Sequence, residues 1–265
     1  MPGDGPGATC RSGSSVNAPC DWDAATYDRV ADPQTRWGRV VLERLPLAGD
    51  ETVLDAGCGS GRVTELLFER LPRGRVVALD ASPAMIEEAR SRLAPVGDRV
   101  DFVLADLGRP IGLPGGIMVD AILSTATFHW IPDHDALFRN LAAVLRPGGR
   151  LVAQCGGVGN IASIMAILAT IGDGWLGDKT FATPEETAAR LAAAGFTDIE
   201  TWLQPEPTRF APGEPFETFL RTVILGSHLP RLPAGEHDAF VRAVAGRMPE
   251  PLIDYVRLNI TATRA

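Results

Sequence analysis

The sequence predicts an α/β fold: a doubly wound, mostly parallel, seven-stranded Rossmann-like sheet with helices on both faces. Short apolar and β-branched runs alternate with helix-length segments from about residue 51 onwards, and turn residues separate them. Repeated strand–helix units of this length favour parallel strands joined by right-handed crossovers. A chain of 265 residues can form one such domain around a large core.

The elements are expected in the following order. Helices are predicted near Ala24–Val30, Gln34–Leu45, Gly61–Leu71, Pro83–Leu93, Asp133–Leu145 and Glu185–Ala194. Strands are predicted at Glu51–Asp55, Arg75–Asp80, Val100–Leu104, Met118–Ser124, Arg150–Gln154, Phe196–Leu203 and Tyr255–Thr263, the last alternating as a half-exposed strand does. Pro147-Gly148-Gly149 is expected to end the helix before the fifth strand, and helical stretches are expected at Pro215–Leu229 and Ala234–Gly246.

Composition narrows the function classes. The net charge of 25 − 33 = −8 disfavours a nucleic-acid partner, because basic patches supply most of the affinity for phosphate backbones. The longest apolar run, Ile161 to Ile171, is too short to cross a bilayer and is predicted to be a buried helix, and no signal peptide is visible. The four cysteines, Cys10, Cys20, Cys58 and Cys155, form no Cys-x-x-Cys pair. We therefore expect no metal, no membrane association and a cytoplasmic location.

A glycine loop follows the first predicted strand. Residues 53–61 read Val-Leu-Asp-Ala-Gly-Cys-Gly-Ser-Gly. In an open parallel sheet, ligands bind beyond the carboxyl ends of the strands, and glycines there allow close approach of the backbone. The helix that starts near Gly61 is expected to point N–H groups at the ligand.

The spacing of the glycines distinguishes two ligand classes. The dinucleotide pattern G-x-G-x-x-G, aligned on Gly57 and Gly59, requires a third glycine at the position of Arg62. Here the third glycine is Gly61, and Asp55 precedes the first by two positions. A nicotinamide-dependent oxidoreductase is therefore the less favoured alternative.

Two further acids follow the next two strands. Asp80 ends the second strand, where a carboxylate can accept hydrogen bonds from both ribose hydroxyls. Asp106 follows the third strand, where it could accept from an adenine amino group. Together with Asp55, these acids are expected to form one rim at the carboxyl edge of the sheet. The alternative is that they are solvated residues of strand-end turns.

In these motifs the sequence resembles the class I S-adenosylmethionine-dependent methyltransferases. The residues that carry the resemblance are Val53–Gly61, Val77–Met85, Ala105–Leu107 and Leu145–Leu151. Two further stretches, Tyr27–Arg36 and Ser124–His134, resemble the trans-aconitate methyltransferase group within that superfamily.

The resemblance implies S-adenosylmethionine as cofactor and assigns residues to it. The glycine loop (Asp55, Gly57, Cys58, Gly59, Ser60 and Gly61) would hold the methionine end, with Ser124 and Thr125 beside it. Asp80 and Ala81 would hold the ribose, Asp106 and Leu107 the adenine, and Met85 would pack near either. Tyr27 and Arg36 would close over the cofactor.

Composition, the order of the elements and the resemblance together predict a domain plan. Residues 1–20 are expected to be a disordered tail and 21–265 a single methyltransferase domain. Within it, 21–50 would cover the cofactor, 51–155 form the cofactor-binding core, and 156–208 with 255–265 complete the sheet, whose last strand would be antiparallel. Residues 209–250 would form a helical lid over the acceptor pocket, inserted before the last strand.

The acceptor is expected to be a small molecule, methylated on a carboxylate or hydroxyl oxygen by in-line displacement. A carboxylate needs no general base, whereas a hydroxyl or carbon acceptor does, and His129 is the candidate for that role. Phe128, Trp130, Arg221 and His228 are predicted pocket residues, and Arg209 and Arg231 are further sources of positive charge. The alternatives are a C- or N-methyltransferase of a natural-product intermediate, or a non-methylating protein that binds the same cofactor. A monomer or a homodimer is expected.

Overall fold

A computed structural model describes residues 32–265, with side chains from residue 36 onwards. The expectations for the tail at 1–20, the helix near Ala24–Val30, Tyr27, Cys10 and Cys20 lie outside the described residues.

The described chain alternates strands and helices through its first two thirds. The strands are β1 (Thr52–Ala56), β2 (Arg75–Asp80), β3 (Val100–Leu104), β4 (Val119–Thr125), β5 (Leu145–Gly156), β6 (Phe196–Pro205), β7 (Thr208–Arg209), β8 (Leu252–Ile253) and β9 (Val256–Arg264). The α-helices are α1 (Asp32–Glu43), α2 (Arg62–Arg70), α3 (Pro83–Leu93), α4 (His134–Val144), α5 (Ala162–Leu168), α6 (Pro184–Ala193), α7 (Glu214–Phe219) and α8 (His237–Ala245).

Seven of these strands form one sheet in the order β3-β2-β1-β4-β5-β9-β6. β1 pairs in parallel with both β2 and β4, while β9 pairs antiparallel with β5 and β6. The predicted fold class is confirmed, including the antiparallel last strand. The strand order reverses between β1 and β4, so their carboxyl ends open the crevice in which a ligand binds in such sheets.

Alternating side chains of the sheet bury two separate apolar layers. On β1 and β2, Leu54, Val77 and Leu79 face the layer that also contains Phe138 and Leu141 of α4. Their neighbours Val53, Val76 and Ala78 face the opposite layer, which is closed by α1, α2 and α3. The near-continuous apolar sequence of these strands follows from burial on both faces.

A third apolar cluster joins α1 to the segment between β6 and β9. Trp37 of α1 packs against Tyr255 with ring centroids 5.0 Å apart. Around them lie Ile164 of α5, Phe216 and Phe219 of α7 and Val241 of α8. The inserted helices therefore have their own core and rest on α1 and α5.

The beginning of the fifth strand differs from the prediction. α4 ends at Val144 and β5 begins directly at Leu145, before the Pro-Gly-Gly sequence that was expected to separate helix and strand. The register with β4 jumps from Val119↔Leu145 to Ala121↔Arg150, so residues 146–149 bulge out of the ladder. Gly148 has φ +78°, a conformation that glycine adopts without a steric penalty.

The C-terminal strand was predicted to be half-exposed, and this is wrong for most of its length. β9 lies between β5 and β6, and its residues 257–260 are buried. Arg257 and Asn259, which gave the polar half of the alternation, are 3% and 0% exposed. Oδ1 of Asn259 accepts hydrogen bonds from Arg44 and from Nε2 of Gln154, the latter at 2.7 Å, so its polarity is satisfied inside the protein.

The inserted segment is helical, but the first predicted helix is broken. α7 continues into a π-helical turn at Leu220–Ile224 and a 3₁₀ turn at Leu229–Arg231. Pro230 has no backbone N–H and its ring clashes with the preceding turn of an α-helix, which accounts for the break at the 3₁₀ turn. The short antiparallel pair β7–β8, which the sequence analysis did not predict, ties the two ends of the insertion together.

Within residues 32–265, no helix is long and apolar enough to cross a membrane. The same residues contain no group of three or more His, Cys, Asp or Glu side chains placed to hold a metal ion. Cys58 and Cys155 are free and buried. Burial raises the pKa of both thiols, that of Cys155 to about 12, which keeps them protonated and unreactive.

Leu123 on β4 is fully buried, so truncation should leave a cavity in the central sheet. We expect Leu123→Ala to lower the free energy of unfolding by about 2–5 kcal/mol in denaturant titrations. The matched control is Leu104→Ala, because Leu104 is 57% exposed and its truncation should change stability by less than about 0.5 kcal/mol. Equal effects of the two substitutions would contradict the placement of β4.

Candidate active site

The glycine loop after β1 is tied by its backbone to the end of β2. The amides of Gly57 and Cys58 both donate to the carbonyl of Leu79, at 2.8 and 2.9 Å. The amide of Gly59 donates to Oδ2 of Asp80 at 2.9 Å. Three consecutive N–H groups are thus satisfied within the protein, and the loop is held rigidly beside the Asp80 carboxylate.

Positive φ angles and close contacts explain the glycines. Gly57, Gly59 and Gly61 have φ of +89°, +53° and +82°. A Cβ on Gly57 would lie 2.2 Å from Oγ1 of Thr127, so a side chain there would collide with the loop after β4. Beside Gly59, no described atom lies within 4 Å of the Cβ position. The surface of the loop is therefore open at Gly59 and closed at Gly57.

Asp55 does not lie on an open rim, contrary to the expectation for the three acids. It belongs to β1 and is fully buried, with Oδ2 accepting a hydrogen bond from the Thr64 hydroxyl at 2.6 Å. Oδ1 has no hydrogen-bond partner among the described residues. Burial, opposed by the Thr64 hydrogen bond and reinforced by the charge of Asp80, raises the pKa of Asp55 to about 7.

The other two acids do lie at the carboxyl edge. The partly buried Asp80 accepts from the amide of Ser82 through Oδ1 at 2.9 Å. Burial raises the pKa of Asp80, while the hydrogen bonds from Ser82 and Gly59 lower it. Asp106, with a side chain 35% exposed, accepts from the amide of Gly108 and lies 3.7 Å from Arg109. Each carboxylate is oriented by backbone amides and keeps lone pairs for a ligand.

The end of β4 forms the other wall of the crevice. The Ser124 hydroxyl donates to the carbonyl of Ala56 at 2.6 Å, and the Thr127 hydroxyl contacts the carbonyls of Thr125 and Gly57. Ala126 has φ +56°, an uncommon angle for a residue with a Cβ. This turn brings residues 124–127 against the glycine loop.

Among the other described residues that the resemblance assigned to the cofactor, Ala81 and Met85 follow β2 and Leu107 follows β3. Met85 and Leu107 are buried, at 4% and 3% exposure, while Ala81 is partly buried. Arg36 is exposed and lies 3.7 Å from Glu206, which follows β6. The contact of Arg36 seen in the structure is therefore with the chain that follows β6, the outermost strand on that side of the sheet.

His129 lies in a 3₁₀ turn after β4 and is 7% exposed. Its Nδ1 accepts a hydrogen bond from the amide of Gly156 at 3.3 Å, and its ring stacks on Phe181 with centroids 6.0 Å apart. Burial, followed by the charges of Arg257 and Lys179, holds its pKa well below 6.5. A neutral ring whose Nδ1 accepts carries its proton on Nε2.

Two cations that the sequence analysis did not single out lie near His129. Lys179 Nζ is 4.4 Å from the centroid of the Trp130 ring and donates to the carbonyl of Ile224 at 3.1 Å. The guanidinium of Arg257 lies 4.6 Å from the ring centroid of Trp37. The amide of Thr180 donates to the carbonyl of His129 at 2.8 Å, which fixes the Lys179 segment against the turn.

The predicted pocket residues are not all brought together. Phe128 is 1% exposed and packs edge-on against Phe138 in the sheet core. Arg221 forms an ion pair with Asp238 at the surface of the inserted helices. Arg209 and Arg231 pair with Glu250 and Asp173. His228 lies among Trp175 and Phe240, in a separate part of the insertion.

The geometry fits the cofactor that the resemblance implies. The glycine loop is open beside Gly59, where the methionine end of the cofactor would lie. A side chain at this position would extend into that space. Asp80 and Asp106 offer oriented acceptors for hydroxyl and amino groups.

The sequence is similar to known proteins over the segment that contains this site. A family model described as a methyltransferase domain matches residues 53–149, the segment that contains the glycine loop and both rim acids. Trans-aconitate 2-methyltransferase of Methylobacterium radiotolerans is 33% identical over 269 residues, which cover 92% of this chain and 99% of that protein. The enzyme of the same name from Methylobacterium nodulans is 42% identical over 51% of this chain and 49% of its own.

Solved structures share the fold at low sequence identity. Phosphoethanolamine N-methyltransferase 2 of Haemonchus contortus, solved with S-adenosylhomocysteine, has a TM-score of 0.61 at 19% identity and covers 91% of this chain and 56% of its own. Geranyl diphosphate C-methyltransferase of Streptomyces coelicolor has a TM-score of 0.55 at 18% identity, over 87% and 76%. The [4+2]-cyclase SpnF has a TM-score of 0.59 at 22% identity, over 87% and 81%, so the fold alone does not specify the reaction. The glycine loop, the family model and the full-length relative together identify the chain as a member of the class I S-adenosylmethionine-dependent methyltransferases, similar over most of its length to the trans-aconitate 2-methyltransferases.

Proposed function

We propose that this enzyme methylates a carboxylate oxygen of a small polycarboxylic acid, with trans-aconitate as the first acceptor to test. The observation that carries the proposal is the hydrogen bond from the Gly156 amide to Nδ1 of His129. It makes the other ring nitrogen a donor. A donor suits an anionic acceptor that needs no deprotonation.

The tautomer of His129 bears on whether the acceptor is a carboxylate or a hydroxyl, because only a hydroxyl needs a general base. A general base must offer a nitrogen lone pair, and in His129 the lone pair of Nδ1 already accepts from Gly156. The proton on Nε2 can instead be donated to a carboxylate oxygen of the acceptor. We therefore propose a positioning role for His129 in place of the general base predicted from its location in the sequence.

Positive charge near His129 supports an acidic acceptor. Arg257 pairs in the β5–β9 ladder with Gly156, whose amide bonds His129, and Lys179 lies on the ring of Trp130, the residue after His129. Lys179 is held by the Trp130 ring and the Ile224 carbonyl, which keeps its positive charge beside the turn that carries His129. The support from the relatives is their printed name, trans-aconitate 2-methyltransferase.

The chemistry requires alignment more than acid–base catalysis. The bound cofactor supplies a methyl group on a positively charged sulfur. A carboxylate acceptor would use a lone pair that it already has to take up this methyl group, with the C–S electron pair left on sulfur, so no residue of the protein would have to remove a proton. The task of the protein is to orient the carboxylate and to exclude water, and orientation can provide much of the acceleration.

On the cofactor side we propose the roles that the resemblance implied. The open glycine loop holds the methionine portion, with Ser124 and Thr125 as its opposite wall. Asp80 accepts from the ribose hydroxyls and Asp106 from the adenine amino group, with Met85 and Leu107 as apolar contacts. The inserted helices at 209–250 cover the acceptor pocket, with Lys179 Nζ joined to the carbonyl of Ile224.

The decisive experiment is methyl transfer from labelled cofactor to trans-aconitate, with product analysis by mass spectrometry. We expect a base-labile monomethyl ester, and Lys179→Met should raise KM for the acid at least tenfold with a smaller change in kcat. Arg75→Met is the matched control, since Arg75 pairs with Asp101 at the opposite end of β2. Efficient methylation of a hydroxyl, amine or carbon acceptor, with no transfer to any polycarboxylate, would contradict the proposal. A raised KM in Arg221→Met would instead place the acceptor at the surface ion pair.

The role of Asp80 can be tested without an acceptor. Asp80→Ala should weaken S-adenosylhomocysteine binding by about 1.5–3 kcal/mol, the scale of hydrogen bonds to a charged group, as measured by calorimetry. Asp101→Ala removes the same charge from the far end of the sheet and should leave the affinity unchanged. An unaltered dissociation constant in Asp80→Ala would sink the assignment.

The raised pKa of Asp55 predicts a pH-dependent stability. The folded protein binds this proton more tightly than the unfolded chain, so the stability that it contributes is present below the ordinary pKa of 3.8 and is lost as pH rises to about 7. We expect Asp55→Asn to gain stability relative to the unsubstituted protein over this window, by a few kcal/mol at most, in cofactor-free denaturation. Thr64→Val should widen the window, because the Thr64 hydroxyl lowers the pKa of Asp55. A difference independent of pH would show that Asp55 is ionised throughout.

A further inference from the structure

A cavity lies between the end of α5, the chain that follows it and the inserted helices. It has a volume of about 310 Å³ and is lined by Leu168, Ile171, Gly172, Asp173, Trp175, His228, Arg231, Leu232 and Phe240. Packed protein interiors contain few voids larger than a water molecule. A cavity of this volume is at the lower end of the range of small-molecule sites.

Aromatic rings form a fixed part of the wall. The Trp175 and His228 ring centroids are 4.6 Å apart, and His228 stacks on Phe240 at 6.4 Å with an interplanar angle of 23°. On Trp175, the Arg231 guanidinium lies 4.2 Å from the ring centroid and pairs with Asp173 at 2.9 Å. The indole of Trp175 is thus held from two directions, which favours a preformed site for a flat ligand.

The polar groups of the wall leave it without net charge. Burial, followed by the charge of Lys179, lowers the pKa of His228 to about 4, so its ring is neutral at pH 7. Its Nε2 lies 3.2 Å from the carbonyl of Trp175, which can only accept, so Nε2 carries the proton. The buried Nδ1 is left as an acceptor with no partner among the described residues. Asp173 and Arg231 neutralise each other.

We propose that this cavity binds a small, uncharged, planar aromatic molecule, at a site separate from that of methyl transfer. Flat rings match the wall to which Trp175, His228 and Phe240 contribute, and Leu168, Ile171 and Leu232 provide apolar surface. Nδ1 of His228 is buried behind this wall and takes no part in the proposed contact.

The cavity is distinct from the proposed acceptor pocket in its residues. Its described lining contains neither His129, Trp130 nor Lys179. It is built from the end of α5, the chain at 171–175, the turn at 228–232 and α8. A ligand there would bridge these segments and stabilise the inserted helices against opening.

The test uses indole as the probe and the full-length enzyme saturated with S-adenosylhomocysteine. We expect saturable binding by titration calorimetry, a rise in Tm, and density for indole beside Trp175 in a soaked crystal. Trp175→Ala should weaken binding at least tenfold, and Leu232→Trp should abolish it by filling the cavity. Leu176→Ala is the matched control, because Leu176 is 43% exposed and does not line the cavity.

Three results would overturn the proposal. One is the absence of binding to the unsubstituted enzyme up to the solubility limit of indole. Another is an unchanged affinity in both Trp175→Ala and Leu232→Trp. The third is indole density beside His129, or inhibition competitive with the methyl acceptor, which would place the ligand in the acceptor pocket. If Trp175→Ala fails to fold, Leu232→Trp and the crystal soak still decide the question.

Discussion

The site depends on one constraint: the chain that leaves β1 must turn in the crevice without leaving its amides unpaired. The carbonyl of Leu79 accepts from Gly57 and Cys58, and the Asp80 carboxylate accepts from Gly59. The same contacts that pair the amides of the loop therefore fix the carboxylate of Asp80 at the edge of the crevice. Buried backbone N–H groups are rarely left unpaired, so the loop geometry and the position of Asp80 cannot be altered independently.

This constraint extends across the strand-order reversal to β4. A residue other than glycine at position 57 would displace Thr127, and the Ser124 hydroxyl is bonded to the carbonyl of Ala56. The turn that begins there leads directly to His129. Movement of the glycine loop would consequently reach His129, so the glycine loop and the turn after β4 form one mechanical unit.

The sequence predicted which residues meet at the carboxyl edge of the sheet better than it predicted which residues surround His129, for a physical reason. Gly57, Asp80 and Asp106 lie at the ends of consecutive strands, and the topology of a parallel sheet brings such positions to one edge. Burial was harder to foresee: Asp55 has the same place in the pattern as Asp80, yet it lies inside β1 and bonds Thr64. The exposure of β9 was mispredicted because alternation along a strand does not reveal that its polar side chains are satisfied inside the sheet.

The surroundings of His129 are assembled from segments far apart in the chain. Lys179 meets Trp130 across about fifty residues, and Arg257 acts on His129 from the last strand. No local pattern marks such residues, whereas Arg221 stood out on a predicted helix and proved to be paired with Asp238. The two cations also give a reason for the neutral His129: their charges and its burial both disfavour a third positive charge. A neutral donor in a region of positive potential does not act as a base, and this electrostatic arrangement is the physical basis of the proposal that the acceptor is a carboxylate.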